Sequence, residues 1–157
     1  MGINLKKFAV GSAAGALVLA APFISGWEWR ANFAYLDPVA VPTICDGITK
    51  GVKMGDFLND AQCDQLLLEE MLKSNRVIDR TVRVPLPDTR RAALLSFIHN
   101  VGGGAFEKST LLKELNAGRT YNACNEMRKW VYAKGRVLSG LVNRREAERK
   151  LCMEGLK

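Results

Sequence analysis

Two carboxylates and a hydroxyl stand near the start of this 157-residue chain: Glu28, Asp37 and Thr43, spaced E-x8-D-x5-T. Glu28 lies between Trp27 and Trp29. An apolar setting raises a carboxyl pKa and keeps the group protonated, as a proton donor must be. Asp37 precedes Pro38 in a turn that water can reach, which predicts an ionised carboxylate. A threonine hydroxyl on a neighbouring strand would hold a water. One carboxyl group to give a proton and another to activate a water are what glycosidic hydrolysis needs. A Glu and an Asp nine residues apart also arise at ordinary helix-to-strand junctions, so the trio depends on what positions it.

The surrounding elements read as α+β, with a small strand-and-turn lobe followed by a mostly helical lobe. Tyr35–Lys53 is rich in Val, Thr, Ile, Gly and Pro, which suits short strands and turns. Asn59 with Gln62 three positions on forms a capping-box pattern, and a helix is predicted over 60–79 with Leu66, Leu67, Met71 and Leu72 on one face. Asp88 is expected to cap a helix over 89–101, stopped by Gly102-Gly103-Gly104. Further helices are predicted over 109–117, from Thr120 to about Ala133, and from Ser139 or Gly140 to about Met153. On these, His99 reads as a helix residue near the core rather than a base. Trp130 reads as core packing, with Tyr132 a possible sugar platform. Arg144–Glu148 reads as a favourable (i, i+4) pair on a solvated helix face, with Arg145–Arg149 like-charged.

Charge and cysteine content narrow the partners. The net charge is +7, but residues 28–70 carry three basic and eight acidic side chains, whereas residues 71–157 carry eighteen and eight. A basic half suits a polyanion such as an acidic cell-wall polymer. No run of Lys and Arg interleaved with aromatics appears, so nucleic acid is not expected as a partner. The cysteines, Cys45, Cys63, Cys124 and Cys152, include no C-x-x-C, and His99 is the only histidine, so a zinc site is not expected. Four cysteines allow three pairings. Cys45–Cys63 with Cys124–Cys152 is preferred because each closes a loop within one region, provided the chain is exported.

The N-terminus argues for export. Lys6 and Lys7 precede the uncharged stretch 8–24, FAVGSAAGALVLAAPFI. As a helix it would span about 26 Å, just enough to cross a bilayer core of about 30 Å, and the leading lysines would keep the N-terminus in the cytoplasm. A signal peptide cleaved after Val18-Leu19-Ala20 is one reading, and an uncleaved anchor is another. Six Ala and two Gly make insertion only weakly favourable, so an anchor of this composition could leave the membrane again. A buried Ala-rich core helix is the third reading.

The run W-E-x8-D-P-V-x-V-P-T-I-C-x-G-x-T-K-G-V-K-x-G-D, from Trp27 to Asp56, resembles the phage-type lysozyme (endolysin) family that includes phage T4 lysozyme. RRAALLSFIHNVGGGAFEKSTLLKELNAG at 90–118 and GLVNRREAERKLC at 140–152 agree with it. The N-terminal stretch is similar to that of the signal-anchor-release endolysins of lambdoid phages. The resemblance implies a lysozyme-like α+β fold with an N-terminal hydrophobic helix, divided into an anchor over 1–26 and a catalytic domain over 27–157. It implies hydrolysis of the β-1,4 bond between N-acetylmuramic acid and N-acetylglucosamine in peptidoglycan, for host cell lysis, with no metal or cofactor needed. Glu28 would be the general acid, and Asp37 with Thr43 would orient the attacking water in an inverting reaction. It implies a chain held inactive in the inner membrane through 8–24, facing the periplasm, and then released there; a monomer is expected. A lytic transglycosylase using Glu28 alone and an inactive wall-binding protein are the alternatives. The chain departs from the family pattern at Trp29, Ala31, Asp46 and Ile48, and Asp46 is expected to add a negative charge near Asp37.

Overall fold

The computed structural model describes residues 13–156. Lys6, Lys7 and residues 8–12 of the apolar stretch lie outside the described residues. The helical lobe is built on α3 (Asp88–Val101), whose residues from Ala92 to Ile98 are all buried. It has no polar stripe because neighbours cover it on more than one side. α1 (Ala14–Trp27) and α7 (Ser139–Met153) both pack on it, and α2 (Asp60–Thr81) adds Leu67, Leu68, Met71 and Ile78 to the same core. The short helices α4 (Gly103–Glu107), α5 (Thr110–Asn116) and α6 (Thr120–Glu126) close the lobe with Phe106, Leu111, Leu115 and Ala123.

α1 is apolar on both sides. Ala16, Leu17, Ala20, Ala21 and Ile24 are buried against the lobe, while Val18 and Leu19 are exposed. The third reading of the N-terminus, a buried core helix, therefore describes residues 14–24 in this conformation. Among the described residues no helix is long and apolar enough to cross a membrane. The boundary read between 26 and 27 falls just inside the end of α1.

The strand lobe follows at once. β1 (Ala31–Leu36) and β2 (Pro42–Cys45) form an antiparallel pair that sets Tyr35 opposite Thr43, with an irregularity between Ala31 and Tyr35. Ile44, Cys45 and Cys63 form a separate small core beneath it, flanked by Ile48, Leu58 and Leu66. The disulfides are Cys45–Cys63, tying β2 to α2, and Cys124–Cys152, tying α6 to α7, which is the preferred pairing.

The capping box forms as read: Asn59 Oδ1 accepts from the Gln62 amide, and Gln62 Oε1 accepts from the Asn59 amide. Two boundaries differ. Asp88 is the first residue of α3 and makes no side-chain cap; its carboxylate lies against Gly15 of α1. The helix expected from Thr120 to Ala133 stops at Glu126 and gives way to a 3-10 turn, Met127–Lys129, and a hairpin of β3 (Tyr132–Ala133) and β4 (Arg136–Val137). Lys134 and Gly135 both take positive φ, the two-residue turn that suits the twist of paired strands.

Candidate active site

Glu28 is the residue at which α1 ends. Its amide donates to the Ile24 carbonyl, and the chain then turns extended toward β1. The apolar setting expected from its neighbours is absent, because Trp29 is 84 % exposed and Trp27 37 % exposed. Adjacent residues on extended backbone point apart, so two flanking indoles do not wall in the side chain between them. What meets Glu28 is a cation: Arg144 Nη1 donates to Oε1 at 2.5 Å. Oε2 faces Gly47, where a Cβ would stand 3.3 Å away. Gly47 also has φ 82°, so this position favours glycine on both counts.

Asp37 closes the β1–β2 turn. Its Oδ1 accepts from the amides of Val39 at 2.9 Å and Val41 at 2.8 Å, and its own amide donates to the Val41 carbonyl at 3.0 Å. Among the described residues no donor reaches Oδ2, so one carboxylate oxygen is fixed and the other is open. Thr43 is buried on β2, and its hydroxyl donates to the Val41 carbonyl at 3.0 Å. With its proton directed there, the hydroxyl oxygen offers its lone pairs as an acceptor.

Tyr35 lies on β1, two residues before Asp37. It pairs with Thr43 across the sheet, and its phenol is pushed up first by burial and then by the negative charges of Glu28 and Asp37. The end of α1 thus carries a carboxyl group braced by a guanidinium, and the β1–β2 turn a carboxylate braced by backbone amides.

Asp46 does not act on this group as expected. It is fully buried, accepts from Arg30 Nη2 at 2.7 Å and Nε at 3.1 Å, and accepts from Ser25 Oγ at 3.0 Å. Arg30 also reaches Asp64 at 2.7 Å. Arg30 thus neutralises the acid that the tight turn carries. His99, at the end of α3, has its Nε2 3.3 Å from the Asp46 carbonyl oxygen, which is a structural contact. Trp130 packs edge-on against Phe97, as core, and Tyr132 is exposed on the hairpin.

The Arg144–Glu148 pair exists, with Nε to Oε1 at 3.1 Å, but the solvated face does not: Arg144, Arg145 and Glu148 are all buried. α7 turns these charges toward α3, where Ser96 and Asn100 meet them. Sequence reasoning missed Arg144 as the partner of Glu28, 116 residues away. The unusually charged run Arg144-Arg145-Glu146 was the available signal. Two open cavities flank the end of α3. One, of about 270 Å³, is lined by Gly47, Ile48, Lys73 and His99. The other, of about 490 Å³, is lined by Asn100, Trp130, Tyr132 and Arg145. Glu28, Asp37 and Thr43 line neither, and Gly47 joins the first to Glu28.

The phage lysozyme family model matches residues 25–148. Relatives named SAR-endolysin, from Enterobacteria phage PA-2 and Enterobacteria phage P21, are each 37 % identical over 157 residues, covering 96 % of this chain and 95 % of theirs. The muramidase domain of SpmX from Asticaccaulis excentricus matches with a TM-score of 0.79 at 28 % identity, covering 85 % of this chain and 94 % of that one. The active form of the P1 phage endolysin Lyz matches with a TM-score of 0.79 at 28 % identity, over 90 % of this chain and 85 % of that one. Its secreted inactive form matches at 0.58 and 27 % identity, over 94 % and 98 %. The chain belongs to the phage lysozyme family and is a glycoside hydrolase of the endolysin kind.

Proposed function

We propose that the chain hydrolyses the β-1,4 bond between N-acetylmuramic acid and N-acetylglucosamine of peptidoglycan, with Glu28 as general acid and Asp37 with Thr43 positioning the attacking water. Glu28 Oε2 protonates the leaving glycosidic oxygen while Oε1 stays on Arg144. Asp37 Oδ2 takes the proton from a water that Thr43 Oγ1 also holds. Inversion follows, because the water and the proton arrive on opposite faces of the sugar. The observation that carries this reading is that each carboxyl group has one oxygen held in place, Glu28 Oε1 by Arg144 and Asp37 Oδ1 by the amides of Val39 and Val41, and one left open. Purified protein is expected to clear chloroform-treated Gram-negative cells, and Glu28→Gln is expected to abolish clearing. Unchanged clearing by Glu28→Gln would overturn the assignment, and anhydro-sugar products retained in Asp37→Ala would indicate a transglycosylase.

The same reading extends to the membrane. Residues 8–24 first anchor the chain in the inner membrane with the remainder in the periplasm, and later release it there, so that 1–26 is an anchor and 27–157 the catalytic domain while the chain is bound. Support comes from the apolar outer face of α1, where a helix made only for water would carry charge, and from the greater likeness to the active than to the inactive form of Lyz. Ala16, Leu17, Ala20 and Ile24 cannot lie in lipid and in the α3 core at once, and Glu28 follows Ile24 by only four residues. An anchored chain therefore has no docked α1 to hold Glu28 against Arg144.

A further inference from the structure

Glu148 is completely buried, and the hydrolysis above gives it no part. Its Oε1 accepts from Ser96 Oγ at 2.7 Å and from Arg144 Nε at 3.1 Å, and its Oε2 accepts from Arg145 Nη1 at 2.5 Å. Arg144 uses its remaining nitrogens on Glu28 at 2.5 Å and on the Ser96 carbonyl at 3.2 Å. Arg145 is anchored in turn by the Trp130 carbonyl at 2.9 Å and the Asn100 amide oxygen. Four charges therefore alternate in one connected chain: Glu28, Arg144, Glu148, Arg145. A buried ionic network of this sort is weak evidence for stability, since apolar replacements often match it.

We propose that Glu148 is a positioning residue for the proton donor: it fixes the edge of the Arg144 guanidinium and, together with Arg145, sets the charge balance that decides the pH at which Glu28 loses its proton. This rests on Glu28 being the general acid. The groups facing Glu28 are Arg144 from α7, Tyr35 from β1 and the Gly47 turn, where Asp46 is already neutralised by Arg30. Around Glu148, α3 supplies the neutral Ser96 and, through Arg145, Asn100. Arg90 of α3 is held by the Cys152 carbonyl, and the Arg128 and Lys129 of the 3-10 turn are paired with Glu146 and Glu126. Burial pushes the Arg145 guanidinium below its ordinary value, while the charge of Glu148 and then that of Glu28 act the other way, so Arg145 and Glu28 feel each other.

The sign follows from counting charges. Removing the negative charge of Glu148 leaves two guanidiniums facing one carboxylate. That favours ionised Glu28 and moves the alkaline limb of the kcat/KM–pH profile to lower pH. Removing the positive charge of Arg145 does the opposite. Coulomb interaction at these separations, in an effective dielectric of about 20, gives shifts on the order of one pH unit. Peptidoglycan hydrolysis is measured across pH for wild type, Glu148→Gln, Arg145→Gln and the double variant, each normalised to its folded fraction from thermal unfolding. Glu28→Gln is run alongside as a control. The expected result is a limb shifted down in Glu148→Gln, up in Arg145→Gln and restored in the double variant. Should one single variant fail to fold, the other single variant and the double variant still give the sign. Lower activity with an unmoved limb in every folded variant would overturn the proposal while leaving Glu28 as the acid. Activity surviving in Glu28→Gln would instead overturn the reading beneath it.

Discussion

The Thr43 hydroxyl gives its proton to the Val41 carbonyl and keeps its lone pairs for a water. Thr43→Val preserves the shape of the side chain and deletes that acceptor, so kcat should fall about a hundredfold with little change in melting temperature. Thr43→Ser should recover most of the loss in the same turnover assay. Asp46 presents a different risk, since its carboxylate is fully buried on Arg30. Arg30→Met should cost about 3–5 kcal/mol by urea unfolding, because it strands a buried charge. The candidate trio was legible because Glu28, Asp37 and Thr43 lie within one short stretch whose flanks resemble a family pattern. The surroundings of Glu28 were not. Sequence neighbours suggested indoles, but an extended backbone turns Trp29 outward and brings in Arg144 from the far end of the chain.

Helix α1 must satisfy two environments with one composition. Ala20 is completely buried against the helical lobe. Ala20→Leu would make the stretch 8–24 more apolar and at the same time overpack the docked helix, at about 1–3 kcal/mol. Cell fractionation should then show a larger membrane-bound share and slower lysis than wild type; an unchanged distribution would count against an anchor that doubles as a core helix. α7 presents a second, half-buried charge cluster. Glu146 accepts from Arg149 and Arg128, which hold its carboxyl well below the usual range, at about 2, with Arg149 the larger cause. A depressed folded-state pKa contributes stability above the ordinary carboxylate range and loses it as pH falls toward about 2. An NMR titration should find Glu146 still ionised at pH 3 in wild type and shifted upward in Arg128→Ala. Helices with strong caps were legible, Asn59 with Gln62 above all. The hairpin after Lys129 was not, because Val131, Tyr132 and Ala133 can continue a helix locally and Gly135 suits a helix end as well as the positive-φ turn it makes with Lys134. The burial of α7 was hidden too: its charges look solvated until α3 is packed against them.

At the scale of the molecule, two lobes are held by separate cores and by one disulfide in each region. Cys124→Ser with Cys152→Ser opens a 28-residue loop and should lower stability by about 3–4 kcal/mol in urea unfolding, more than any exposed ion pair would. The account as a whole depends on a proton donor at position 28 acting with a water held by Asp37 and Thr43. Mass spectrometry of purified peptidoglycan digested by wild type, Glu28→Gln and Asp37→Asn tests this most directly. Wild type should release fragments ending in reducing N-acetylmuramic acid, carrying one oxygen from labelled water, and neither variant should release them. Anhydro-muramic products from wild type, or reducing fragments from Glu28→Gln at the wild-type rate, would contradict it.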